Sequence, residues 1–184
     1  IYKKRYPNTK LILSTWEDTD SKVISKFKNI NVEVVLNKKP NYFGISNINL
    51  QVKTSINGIK KAKEDGNEYC LKTRNDQRVY KHDFLQFLLS ILSLYKINHN
   101  ILKNRLITCS LNTFKYRLYG VTDMFMFGEI DDMILYWNAK YDMRKIDEVN
   151  TGTSSLDFSK KRLCEVYLCT EFLKKIKYKT DYTL

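Results

Sequence analysis

Short apolar runs of strand length alternate along this chain with stretches of helical period, and few fold classes accept that alternation. Residues 10–16 (KLILSTW) form a continuous apolar run with the length of a buried parallel strand. Residues 31–36 (NVEVVL) form a second, stopped by Lys38, Lys39 and Pro40. Residues 68–73 (EYCLKT) and 105–110 (RLITCS) form a third and a fourth. Residues 1–6 read as the end of a helix closed by Pro7 and Asn8, and 22–28 as a short helix. Over 47–64, Ile48, Val52, Ile56, Ile59 and Ala62 recur at spacings of three and four, the mark of one helical face. Gly58 inside that helix points to close packing or a bend, and Asp65-Gly66 ends it. Further helices are expected over 84–97, 131–141 and 159–175, with 121–128 a mixed apolar segment and 152–155 a flexible loop. Strands alternating with helices predict an α/β class, with a mainly parallel central sheet covered on both faces in three layers.

The 184 residues suit one domain spanning 1–184. The chain opens at Ile1, which suggests a piece of a longer protein. The most apolar stretch, 84–95, is interrupted by Gln86, Ser90 and Ser93. A membrane-spanning helix needs about 20 apolar residues, so this one reads as a buried helix. Cys70 and Cys109 sit in strand-like runs, and Cys164 and Cys169 are too far apart for a CxxC pair, so all four read as reduced thiols of a cytoplasmic protein. Lysine and arginine exceed the acids by a net charge of +12. The cations are mostly lysines scattered along the chain, which fits weak attraction to an anionic membrane surface and argues against a specific nucleic-acid partner.

Ligands of open α/β sheets gather at the carboxyl ends of the strands. Trp16, Glu17 and Asp18 follow the first strand. Arg74, Asp76 and Arg78 follow the third, two guanidinium groups beside one carboxylate. Guanidinium matches phosphate with paired hydrogen bonds, and Asp76 suits a metal ion or a ribose hydroxyl; an ion-paired turn is the plainer alternative. Asp123 lies inside an apolar run, so its carboxylate must be paired or face a cleft. Glu129, Asp131 and Asp132 open a helix, where the dipole alone favours acids. Glu165, on the apolar face of the last helix, reads as half of a buried ion pair. His82 and His99 have no partner at ligand spacing. No P-loop, GxGxxG, GxSxG or HExxH is present, which removes the common nucleotidase, dehydrogenase, hydrolase and zincin readings.

Five segments together resemble the WavE lipopolysaccharide-synthesis family. They are Tyr6-Pro7-Asn8 followed by Leu13-Ser14-Thr15-Trp16-Glu17; Asn47 through Gln51 to Gly58; Tyr69 to Asp76; Thr122-Asp123 with Phe127-Gly128; and Arg162 through Glu165 to Leu168. They cover nearly the whole chain in family order, and the Ser-Thr-Trp strand end is the most distinctive. The family pattern favours an aromatic after Asp123, where this chain has Met124. A looser resemblance is to GT-A transferases, whose strand ends in Asp-x-Asp. Here Asp76 takes the place of the second Asp and Arg74 replaces the first, which argues against ordinary Mn²⁺ or Mg²⁺ dependence and leaves Asp76 as the one metal-ligand candidate. In that pattern the first strand and nucleotide loop would precede Ile1.

The resemblance implies a GT-A-like, Rossmann-related glycosyltransferase moving sugar from a nucleotide-sugar donor to a glycan or lipid-linked glycan acceptor of lipopolysaccharide or capsule. It would work at the inner face of the cytoplasmic membrane. Arg74, Asp76 and Arg78 then serve the diphosphate, ribose or metal, and Trp16, Glu17 and Asp18 the nucleoside. Asp123 is the first choice for general base or acceptor contact, with Glu129 and Asp132 as alternatives. The rival readings are a non-catalytic polyanion- or glycan-binding module and an inactive transferase-like domain.

Overall fold

The computed structural model describes residues 1–145 and 154–183 and shows a mixed α/β chain with two small sheets. After a helical turn, α1 (Tyr2–Arg5), strand β1 (Ile12–Trp16) leads through α2 (Ser21–Asn29) to β2 (Glu33–Asn37). A 3₁₀ turn, Ile45–Asn47, opens the long helix α3 (Ile48–Glu64). Then come β3 (Tyr69–Lys72), α4 (Phe84–Leu94), β4 (Ile107–Thr108), β5 (Met126–Glu129), α5 (Ile130–Trp137), α6 (Ser155–Lys160) and α7 (Glu165–Lys175). Within the expected loop over 152–155, residues 152 and 153 lie outside the described residues.

The four runs expected as strands are strands, but the sheet is not mainly parallel. Among the described residues only β1 and β2 pair in parallel, Ile12 against Glu33 through Trp16 against Asn37. The second sheet has the order β3-β5-β4, and both of its ladders are antiparallel. The physical reason is the third strand of that sheet. β3 and β4, joined across α4, run the same way, as alternation requires. The chain then turns back without a crossover helix and inserts residues 126–129 between them, running opposite. That segment read only as mixed apolar in the sequence.

Side-chain alternation on β5 sorts the core. Met126 faces a cluster built from Ile48, Val52, Ile56 and Ile59 of α3, Met133 and Trp137 of α5, and Leu168 of α7. Phe125 and Phe127 face the other way, onto Leu88 and Leu92 of α4. α3 packs on both sheets and fixes their relation. Its end is tied to the start of β1 by Asp65, which accepts ion pairs from Lys10 at 2.5 Å and Lys61 at 2.7 Å. Midway, Gly58 lets the helix approach β1 closely: a Cβ there would stand 3.2 Å from that of Ser14. The buried Asn37 amide donates to Ser14 Oγ at 3.0 Å and to the Thr15 carbonyl at 2.7 Å, and its oxygen accepts from Asn57 of α3 at 2.7 Å. β1 and β3 both start at the carboxyl end of α3, so their carboxyl ends point along it the same way.

Three helices depart from expectation. The run over 159–175 is two helices, broken where Arg162 (φ 53°) and Cys164 (φ 46°) take positive φ. The break is held by Arg162, which donates to Glu171 at 2.6 Å and to Thr170 at 2.6 Å. The helix over 131–141 stops at Trp137. α4 stops at Leu94 and is not a buried helix: only Leu88 and Leu92 are buried, while Phe87, Leu89, Leu94 and Tyr95 face outward. One stripe suffices to cover a three-stranded sheet, and the remaining apolar side chains are left outside. All four cysteines are thiols. Burial pushes Cys70 and Cys169 up to about 12, which makes both inert.

Candidate functional site

Lys72 ends β3 and points across the antiparallel ladder to the strand entering β5. Its ammonium donates to the Asp123 carbonyl and lies 4.6 Å from the centre of the Trp137 ring. Burial pushes its pKa down to about 8, against the opposing pull of the Asp123 carboxylate. The Asp123 carboxylate accepts a hydrogen bond from Gln51 of α3. Glu165, the first residue of α7, is close enough for the Asp123 charge to act on it. Burial chiefly, and that neighbouring carboxylate, raise the Glu165 pKa. No cation lies within ion-pair distance of Glu165 among the described residues, so the expected buried ion pair does not form. Arg117 is an opposing charge that acts on it, its guanidinium stacked 4.4 Å over Phe114 and 4.2 Å over Phe158.

Two carboxylates, a depressed lysine and a stacked arginine thus surround the carboxyl end of β3. Around them three buried donors find no acceptor among the described residues: Arg117 Nε, Tyr136 Oη and Trp137 Nε1. Burial first, and then nearby charges including Asp123 and Glu165, raise Tyr136 well above its ordinary value. Buried polar groups are nearly always paired, so a concentration of unpaired donors beside two carboxylates that form no ion pair among the described residues marks a candidate binding site. The backbone supports that view. α3 and α7 both begin here without a side-chain cap. Their lead-in residues Ser46, Asn47 and Cys164 hold positive φ, and Cys164 Sγ meets Ser46 Oγ at 3.2 Å.

The other sequence candidates fall into three places. Arg74 and Asp76 lie beside Lys72, near enough for their charges to act on it. They are exposed and bound to each other: Arg74 Nε donates to Asp76 Oδ1 at 3.0 Å and Nη2 to Oδ2 at 2.7 Å. The guanidinium holds the Asp76 carboxyl below its usual range. Arg78 folds onto its own loop, donating to the carbonyls of Asn75 and Gln77. This is the ion-paired turn, set at the mouth of the cluster. Trp16 sits half-buried at the end of β1, and Glu17 and Asp18 are exposed, Asp18 pairing with Lys39 at 2.5 Å. None of the hydrogen bonds or ion pairs of these three, among the described residues, reaches Asp123.

Glu129 and Asp132 lie at the opposite end of β5 from Asp123, because Glu129 pairs with Tyr69 at the start of β3. Glu129 accepts from Lys103 at 2.7 Å and from Asn104 at 3.1 Å. Asp132 is buried and accepts from the backbone amides of Lys103 and Asn104 at 3.1 and 2.7 Å. Both are committed to anchoring the 103–104 loop to α5, the helix-start role. For a divalent metal the donors do not fit. Asp76 is occupied by Arg74, and no three His, Cys, Asp or Glu side chains converge among the described residues.

A sequence model of the family described as WavE lipopolysaccharide synthesis matches residues 2–181. The chain belongs to the WavE lipopolysaccharide synthesis family. Membership of WavE implies a part in lipopolysaccharide synthesis, and with it glycan-related substrates. No curated protein and no solved structure matches the chain. Lys72, Arg117 and the Ser46–Cys164 contact were not singled out as functional from the sequence. A lone lysine ending a strand and a lone arginine in a polar loop carry no pattern, and only the return of β5 brings them to Asp123.

Proposed function

We propose that this WavE chain is a GT-A-like glycosyl-transfer domain, taking sugar from a nucleotide-sugar donor to a lipopolysaccharide or capsule acceptor at the membrane surface. The observation that carries the reading is the Asp123 cluster. A carboxylate, a second carboxyl of raised pKa and a half-buried lysine meet at a strand end, beside Arg74 and Asp76 and among unpaired donors. β1 and β2 run parallel in one sheet, and in the other β3 and β4 run alike on either side of the opposing β5, an arrangement compatible with a GT-A-like fold. Transfer needs cations for the leaving diphosphate and a base for the acceptor hydroxyl. Lys72 and Arg74 supply the first, and the Asp123 carboxylate takes the hydroxyl proton. Burial raises the Glu165 pKa, which disfavours a second negative charge next to the phosphates.

The test uses a panel of nucleoside-diphosphate sugars, with binding read by calorimetry and turnover by release of nucleoside diphosphate. Asp123→Asn is expected to keep donor affinity and to lose roughly 10²–10⁴-fold in turnover. Lys72→Ala is expected to weaken nucleoside-diphosphate binding about ten- to a hundred-fold, while changing nucleoside binding little. Binding of donors with no turnover in the wild type would favour the inactive transferase-like domain. Binding of polyanions alone, governed by total charge, would favour the non-catalytic module.

A further inference from the structure

Residues 77–122 form one quarter of the chain and hold half its charge imbalance. They carry seven cations, among them Lys81, Lys96, Lys103 and Arg105, against the single carboxylate of Asp83, so six of the twelve net positive charges lie here. The same segment holds half of the exposed large apolar side chains among the described residues. The two excesses meet on α4. This helix contains no charged residue, buries only Leu88 and Leu92 against the sheet, and leaves Phe87 49%, Leu94 76% and Tyr95 64% exposed. Cations rim that face. Lys81 Nζ lies 5.4 Å from the Phe87 ring centre, and Arg105 Nε donates to the Tyr95 carbonyl at 2.9 Å. Lys96 follows the helix end. None of these three is ion-paired with a carboxylate among the described residues.

We infer that the outward face of α4 docks on an anionic lipid bilayer. Its aromatic and leucine side chains enter the headgroup boundary, and Lys81, Lys96 and Arg105 meet the lipid phosphates. Apolar side chains ringed by unpaired cations are what an interfacial helix requires. Each basic residue that reaches an anionic surface adds about 1 kcal/mol of attraction, roughly fivefold in affinity. A second copy of the chain is a poorer occupant, because the two rims would bring like charges together. No described helix is long and apolar enough to cross a membrane, so this contact lies on the bilayer rather than through it. The inference rests on the membrane-surface part of the proposed function and not on its chemistry.

The experiment is flotation of the purified chain with phosphatidylcholine vesicles containing 30% phosphatidylglycerol, by order of magnitude a cell-like anionic content. Circular dichroism confirms that each variant is folded. The wild type is expected to float, less as salt rises, and much less with pure phosphatidylcholine. Phe87→Ser with Leu94→Ser should lower binding about tenfold or more. Lys81→Glu with Lys96→Glu should abolish it, while Lys26→Glu with Lys28→Glu on α2 changes it about twofold at most. If the α2 variant matches the α4 variants, charge alone is at work and the α4 surface is wrong, although membrane attraction stands. If the wild type does not float, both fall. Concentration-dependent dimers removed by Phe87→Ser with Leu94→Ser, with no vesicle binding, would replace the lipid by a second copy. Donor turnover is measured alongside and is expected to be unchanged in every α4 variant, so the transfer reading is judged separately.

Discussion

Lys72 sits in surroundings that conflict with its own chemistry, since an ammonium group is held half-buried, with Asp123, a ring face and the more distant Asp76 charge to balance it. A lysine depressed to about 8 from 10.5 costs the fold on the order of 1–3 kcal/mol while it is charged. The sign follows from proton binding. Below pH 8 both folded and unfolded states carry the proton and the full cost stands. Between about 8 and 10.5 the folded state sheds it first and the cost fades. Lys72→Met is therefore expected to be more stable than the wild type at pH 7, with the gap closing as pH rises through that window. Denaturant melts of both proteins at pH 7, 8.5 and 10 check it, and a gap independent of pH would mean that the lysine is well solvated. Asp76 gives an opposite kind of prediction. It now occupies both arms of Arg74. If Arg74 serves phosphate, Asp76→Ala frees it, and pyrophosphate affinity measured by calorimetry should rise several-fold. A fall would show that Asp76 itself contributes to the ligand.

At the scale of elements, what the sequence made legible was continuity, and what it hid was return. Apolar runs located β1 to β4 because strand packing needs several apolar residues together. β5 was missed because four residues, MFGE, with a glycine among them, carry too little alternation to stand out. The break between α6 and α7 was missed because no glycine or proline marks Arg162 or Cys164. Tertiary bonds impose it: Arg144 reaches the carbonyls of Lys161 and Arg162, and Arg162 reaches Glu171. At the site, Asp123 was legible as a carboxylate in an apolar run. Lys72 and Arg117 were not, because their meaning comes from β5 bringing them to Asp123. The same network shows what joins α3 to the segment after α5. Buried Asn49 donates to the carbonyls of Tyr42 at 3.1 Å and Asp142 at 2.9 Å and accepts from the Asp142 amide at 2.7 Å. Asn49→Ala strands all three and should cost on the order of 3 kcal/mol in a urea melt. A loss under about 1 kcal/mol would mean that water replaces the amide without difficulty.

For the whole molecule, the two sheets are unequally buried. α1 and α2 contain no buried residue, and β1 is half-buried along its length. Its sequence, ILSTW, suits a strand covered on both faces and flanked on both edges, yet among the described residues β1 pairs only with β2. By contrast α3, α5 and α7 share one continuous cluster with Met126. Local opening follows buried apolar contact, so the two halves should separate in hydrogen exchange. Amides of β1, α2 and β2 are expected to open at a free energy lower by about 2 kcal/mol or more than those of α3 and α7. Asn37 is a buried polar tie to α3, through Asn57, and Asn37→Ala should lower the protection of the first sheet further while leaving α7 unchanged. Exchange read by mass spectrometry on peptides from 10–37 and 165–175 decides it. Equal protection in both would show one cooperative unit, with α3 alone binding the sheets together. Protection of β1 that rises when a nucleoside-diphosphate sugar is added would show that its carboxyl end, with Trp16, closes on the donor although no hydrogen bond or ion pair among the described residues ties it to Asp123.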